Sequence, residues 1–132
     1  MAQVFNTAAG GKPVLAGPGW SSLNMHPAVR KWWLDSVAAT LNMVTLHVYA
    51  GDIFSNPNIE DLLSDKVMDM PNLLELVKLA QMYNLPVRVS EAALLSYGGV
   101  QGVSDVAGSA VWVLDSALEV CLMARTASIF TG

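Results

Sequence analysis

Three short, largely apolar runs with the makeup of strands constrain this chain more than any other feature. They are KPVLA (12–16), MVTLHVY (43–49) and PVRVS (86–90). Each is short and apolar, the composition of strands covered by other structure rather than open to water on one face. Segments of helical period separate them. Val29, Trp33, Val37 and Leu41 recur every four residues between 27 and 41, with Leu34 and Ala38 beside them. Arg30, Lys31 and Asp35 fall away from that stripe, as on the wet face of an amphipathic helix. Pro27 suits the first helical position.

Pro71 opens a second helix, to about Tyr83, with Leu73, Leu74, Val77 and Ala80 on one side. Glu75 and Lys78 are spaced there to pair across one turn. A short helix fits Ile59 to Ser64. A longer one is expected from about 105 to 123, with Ser104 as its N-cap. TASIF (126–130) has the makeup of a final strand. AQVFNTAA, before Gly10-Gly11, resembles the end of a helix with a glycine stop.

The order β-α-β-α-β-α-β predicts an α/β fold, with a parallel sheet covered on both faces. Four such units suit half of an eight-stranded barrel or a small doubly wound sheet. A whole (β/α)8 barrel needs about 250 residues, and this chain has 132. The expectation is a partial barrel of about four parallel strands with covering helices, residues 1–132 forming a single incomplete domain. No internal repeat or low-complexity segment interrupts it.

Composition narrows the partners. Charged residues make up 14% of the chain and hydrophobic ones 53%, against an average near 25% charged. Such a chain is mostly core, is covered by a partner, or is a piece of something larger. A net charge of −4 without basic clusters argues against nucleic acid. Cys121 is the lone cysteine, which excludes an internal disulfide, and its apolar helix predicts a buried thiol. The apolar run from Val106 to Ala124 carries Asp115 and Glu119. An acid at a membrane helix centre costs about 2.5–3.5 kcal/mol, so a buried helix is expected there and no membrane span. The N-terminus lacks the basic and apolar segments of a signal peptide. His26 and His47 have no metal-ligand spacing with other donors, so no metal and no cofactor is expected. GPGWSS loosely follows GxGxxG, but Ser22 stands at its last glycine and the next helix starts too late to hold a pyrophosphate.

Function in parallel α/β folds sits beyond the carboxyl ends of the strands. Four such ends are expected here. They bring Gly17-Pro18-Gly19-Trp20, then His47, Tyr49 and Asp52, then Ser90 and Glu91 with Tyr97-Gly98-Gly99, and last Phe130-Thr131. Glu91 is either a solvated loop acid or a carboxylate nucleophile or base. His47 and Tyr49 are two apart and so share a strand face. They fill an interior or point together at a site. Gly98-Gly99 is a plain turn or a pair of backbone N–H groups open to an anion. Trp20 is a lid on the core or a platform for a sugar ring.

Ser90-Glu91, Tyr97-Gly98-Gly99, Gly102-Val103-Ser104-Asp105 and Ala110-x-Trp112-x-Leu114-Asp115 together resemble glycoside hydrolase family 79. That family contains heparanase and the related β-glucuronidases. Leu46-His47-Val48-Tyr49 is similar to its strand-end His/Tyr segment, and Gly17-Pro18-Gly19 fits less specifically. The resemblance implies strands five to eight of a (β/α)8 barrel and a retaining hydrolase of β-glucuronide-type glycosides. Retaining enzymes use two carboxylates about 5–5.5 Å apart. The resemblance makes Glu91 the nucleophile, Tyr49 the group that orients it and His47 a supporting residue. It places Tyr97, Gly98 and Gly99 at the carboxylate of a uronic-acid substrate, and it implies an extracellular or secreted protein. The family's acid/base Glu lies in an Asn-Glu-Pro-like motif, and this chain contains no Asn-Glu pair. The partners expected are therefore the complementary N-terminal half barrel or further copies of this chain. The alternative is a truncated, non-catalytic relative that binds sugar or another protein.

Overall fold

A computed structural model describes residues 14–64 and 70–128. Two of the expected strand runs pair in parallel, and the third strand of the sheet lies just after KPVLA, sharing only Ala16 with it. β1 (Ala16–Trp20), β2 (Met43–Asp52) and β3 (Val87–Ser96) form one sheet in the order β1-β2-β3. α1 (Pro27–Val37) and a 3-10 turn at Ala38–Thr40 connect β1 to β2. α2 (Ile59–Leu62) and α3 (Met70–Gln81) connect β2 to β3, and α4 (Ala107–Ser128) follows.

Each crossover returns to the strand beside the one it left. Right-handed connections in a single direction put successive helices on the same face. The main core lies on that face. Leu34 of α1 and Leu73, Leu76 and Ala80 of α3 meet Val44, Leu46 and Val48 of β2. Leu34, Val44, Leu46 and Leu76 are fully enclosed, each such side chain contributing about 1.5–3 kcal/mol by leaving water. A second cluster of Leu62, Leu94, Leu95, Val103 and Trp112 closes the far end of the sheet beneath α4.

Local chemistry sets the helix starts. His26 Nδ1 accepts from the Ala28 amide at 3.2 Å, and Pro27 opens α1. Asn58 Oδ1 accepts from the amides of Glu60 and Asp61 at 2.9 and 3.1 Å to cap α2.

The α/β class and the parallel sheet match expectation, but several details differ. The described sheet has three strands and stays open, rather than four strands of a closing barrel. Thr126–Ser128, expected to be strand, continue α4. No glycine or proline interrupts the chain from Ser109 to Ser128, so nothing stops the helix there. Residues 129–132 and the expected helix before Gly10 lie outside the described residues. Among the described residues, α1 and α3 both pack on one face of the sheet, so the expected cover by such helices is seen on that face alone.

β1 starts at Ala16 and takes in the GPGW stretch expected as a loop, with a cis Gly17-Pro18 bond. β1 is an edge strand, where a residue without an N–H is tolerated. β3 does not stop at Ser90. Ala92, Ala93, Leu95 and Ser96 go on pairing with β2.

Trp33, Leu34, Ala38 and Leu41 of the expected stripe face the core, but the stripe departs from expectation at its start. Leu34 is enclosed and Val29 is exposed. Arg30, one turn before Leu34, is 2% exposed. Its Nε donates to Met25 O at 3.0 Å, one terminal nitrogen donates to Asn72 O at 3.2 Å, and the other meets Glu75 at 3.4 Å. Glu75 thus pairs across the helices rather than with Lys78. Ser104 does not cap α4. Its hydroxyl is taken up by the amide and carbonyl of Val100. α4 is not enclosed either. Val111, Val113, Leu114, Leu118, Leu122 and Cys121 are exposed, because the helix rests on the fold along one stripe that includes Gly108, Trp112, Ser116 and Val120.

Candidate active site

Two irregularities in the sheet decide which side chains share a face. On β2, Val44, Leu46 and Val48 point into the helix-covered core, so Thr45, His47 and Tyr49 point the other way. On β3, Val87 and Val89 pack against that same core. Strict alternation would send Glu91 after them. Instead Leu46 pairs with Val89 and His47 with Glu91, leaving Ser90 as an extra residue. This bulge reverses the parity of β3 and re-aims Glu91. The Ser90 hydroxyl donates to Leu46 O at 3.1 Å and holds the bulge closed.

β1 has a matching bulge one strand away. Pro18 pairs with Thr45 and Trp20 with Leu46, so Gly19 is the extra residue. Here the parity change takes a side chain out of the site. Trp20 joins Leu46 in the core, 8% exposed, with its ring edge-on to Trp33 at 5.3 Å. Gly19 has φ +72°, and a Cβ on it would stand 3.7 Å from His47 Nε2. The left-handed backbone is what favours glycine there, since a Cβ at that distance would make only an ordinary contact.

Glu91, Tyr49 and His47 form one connected group. The Tyr49 hydroxyl donates to Glu91 Oε1. With its proton directed there, Tyr49 Oη accepts from His47 Nδ1, 3.1 Å away. Glu91 Oε2 lies 3.8 Å from His47 Nδ1, too far for a hydrogen bond. The bond to Glu91, followed by burial and the charge of Glu91, pushes the Tyr49 phenol up to about 12. Tyr49 therefore stays protonated and donating across the neutral range. The Glu91 side chain is 55% exposed, while His47 is 26% exposed. A carboxylate held by one oxygen and open to solvent at the other has lone pairs available to an electrophile.

These three residues line a cleft of about 690 Å³. Ser21, Ser22 and Asn24 border it from the loop after β1, with Asp52, Ser96 and Tyr97 at the strand ends. Glu91 thus sits within β3, on the sheet's face, rather than at the strand end where it was expected.

The other expected site residues divide. Tyr97 lines the cleft, whereas Trp20, Gly98 and Gly99 are not among its lining residues. Tyr97 and Gly98 both have positive φ, +68° and +126°. A Cβ on Gly99 would come within 2.8 Å of Ser104 Oγ, so packing against Ser104 already demands a glycine there. Asp52 Oδ1 accepts from the amides of Phe54 and Ser55 at 2.8 and 3.0 Å. That carboxylate is engaged in its own turn. Ser21, Ser22 and Asn24 were missed. The only sequence signal for them was a polar loop directly after a strand. Among the described residues, no three His, Cys, Asp or Glu side chains gather as metal ligands. No described helix is long and apolar enough to cross a membrane. Comparison with known proteins found no family model and no curated protein that matches the chain.

Proposed function

We propose that this chain is the nucleophile-bearing half of a retaining glycoside hydrolase of β-glucuronide-type glycosides, with Glu91 as nucleophile. The observation that carries the reading is the bulge at Ser90, which brings Glu91 onto the face of Tyr49 and His47, where the phenol holds one carboxylate oxygen. A retaining glycosidase needs such a fixed, half-open carboxylate beneath the sugar. The resemblance of residues 90–115 to glycoside hydrolase family 79 supplies the substrate class. The sequential strand order, with α1 and α3 on one face, is the arrangement of a sector of a (β/α)8 barrel. In that setting the face bearing Glu91 is the inner one.

The second carboxylate is supplied by another polypeptide segment. Asp52 is the other acid lining the cleft, and its Oδ1 is committed to two backbone amides. A glycosyl fluoride tests the nucleophile without an acid, since fluoride leaves unprotonated. Incubated with 2-deoxy-2-fluoro-β-glucuronyl fluoride, Glu91 should attack C1 as the C1–F bond breaks, leaving an ester. Intact mass and peptide mapping should find one glucuronyl adduct on Glu91, absent from Glu91→Gln. No adduct, with or without a complementary half barrel, overturns the reading.

The apolar residues exposed along α4 favour a second reading, a non-catalytic relative that binds sugar or a protein. It predicts glucuronide binding or partner binding without an adduct.

A further inference from the structure

Two aromatic rings stand in the open at the strand-end side of the cleft. Phe54 is 76% exposed and Tyr97 is 79% exposed. Their ring centroids are 5.5 Å apart, with the planes tilted by 51°. Single exposed apolar residues are ordinary, but two large rings exposed in contact call for an occupant. Each is fixed from its backbone rather than by burial. The Phe54 amide donates to Asp52 Oδ1 at 2.8 Å, and Ser55 Oγ donates to Asp52 O at 2.9 Å. Tyr97 stands at φ +68°, an outlier for a bulky side chain. Backbone strain of this kind persists where the surroundings hold it and clusters at ligand clamps. Tyr97 also lines the cleft that holds Glu91, so the pair continues that cleft outward.

We propose that Phe54 and Tyr97 form a stacking ledge for the pyranose ring next to the one held at Glu91. Two features select a sugar over a purely apolar ligand. The adjoining wall offers polar groups from Ser21, Ser22 and Asn24, with Ser96 donating its hydroxyl to Gly51 O and keeping its lone pairs as acceptors. The ledge itself offers two exposed aromatic faces inclined to each other, either of which suits the C–H face of a pyranose whose hydroxyls turn toward that wall. This deepens the glycosidase reading and rests on it for the neighbouring ring. Trp20, the platform expected from sequence, is in the core, and Phe54 takes that part.

The test is an NMR shift titration of the chain with methyl β-glucuronide and with a β-glucuronyl disaccharide, run beside the fluoride labelling of Glu91. The disaccharide should bind about tenfold more tightly than the single ring, the scale of one good aromatic contact. Phe54→Ala should remove that advantage while leaving the methyl glycoside affinity and the labelling unchanged. Phe54→Trp should preserve it. Phe54 is exposed, so circular dichroism should find the fold intact. If Phe54→Ala keeps the tenfold preference, or changes only self-association, the ledge is overturned and Glu91 is unaffected. If Glu91 is not labelled but the preference still depends on Phe54, the nucleophile falls and the ledge stands. Failure of the wild type to bind either sugar overturns both.

Discussion

Tyr49 is the residue through which the site is most directly measured. Its phenol is raised to about 12 chiefly by the bond to Glu91. A group whose pKa is raised on folding lends stability that is complete below its unfolded value and is lost as pH climbs through the folded one. For Tyr49 that window runs from 10 to about 12. Tyr49→Phe is expected to cost about 0.5–1.5 kcal/mol at pH 8, and the gap to wild type should close as pH rises toward 12. Urea midpoints across pH 8–12 check this. In Glu91→Gln the phenol should titrate back toward 10 by ultraviolet absorbance. A titration that does not move would mean that Glu91 and Tyr49 are uncoupled.

At the level of elements, two contacts join helices in ways the ordinary propensity rules miss. Gly108 lies in the first turn of α4, and a Cβ there would stand 2.6 Å from Ile59 Cγ1 of α2. Glycine-to-alanine in a helix normally gains up to about 1 kcal/mol. Here Gly108→Ala is expected to lose about 1–2 kcal/mol through overpacking, and to recover in an Ile59→Ala background. Additive losses in a double-mutant cycle would refute the clash. Arg30 is the second contact. It is enclosed between α1 and α3, and its guanidinium serves two backbone carbonyls and Glu75. Arg30→Lys keeps the charge but loses the fork, and should lower stability by about 2–3 kcal/mol in chemical denaturation. A loss below about 0.5 kcal/mol would place Arg30 among ordinary surface charges.

At the scale of the fold, the sheet has two open edges among the described residues, because β1 and β3 each pair there on one side only. Unpaired strand edges invite pairing with other chains. The exposed apolar side chains of α4, from Val111 to Leu122, add to that tendency. Light scattering is therefore expected to find concentration-dependent self-association, and a complementary half barrel should suppress it by covering the edges. A monodisperse monomer across micromolar concentrations would contradict this and would indicate that the edges are protected.

The parallel α/β class, the strands within 43–49 and 86–90 and the helix starts at Pro27 and Ile59 were legible in the residues, because they depend on local period and turn chemistry, whereas AGPGW formed strand and Thr126–Ser128 formed helix against expectation. Also legible was the pairing of His47 with Tyr49, since a strand's period of two needs no tertiary information. The meeting of Glu91 with them was expected from the convergence of strand ends on one rim and from a family resemblance, although strict alternation along β3 sends Glu91 into the core. The bulges at Gly19 and Ser90 reverse that alternation in two strands, putting Trp20 in and Glu91 out. Bulges arise from the fit between neighbouring strands, which no single run of residues contains. The burial of Arg30 likewise depends on carbonyls of Met25 and Asn72, the latter 42 positions away. The sequence by itself determined the α/β alternation and where most of its helices and two of its strands form. Register, which depends on contacts between distant segments, was decided by the tertiary structure, and register selects the side chains that face one another across the site.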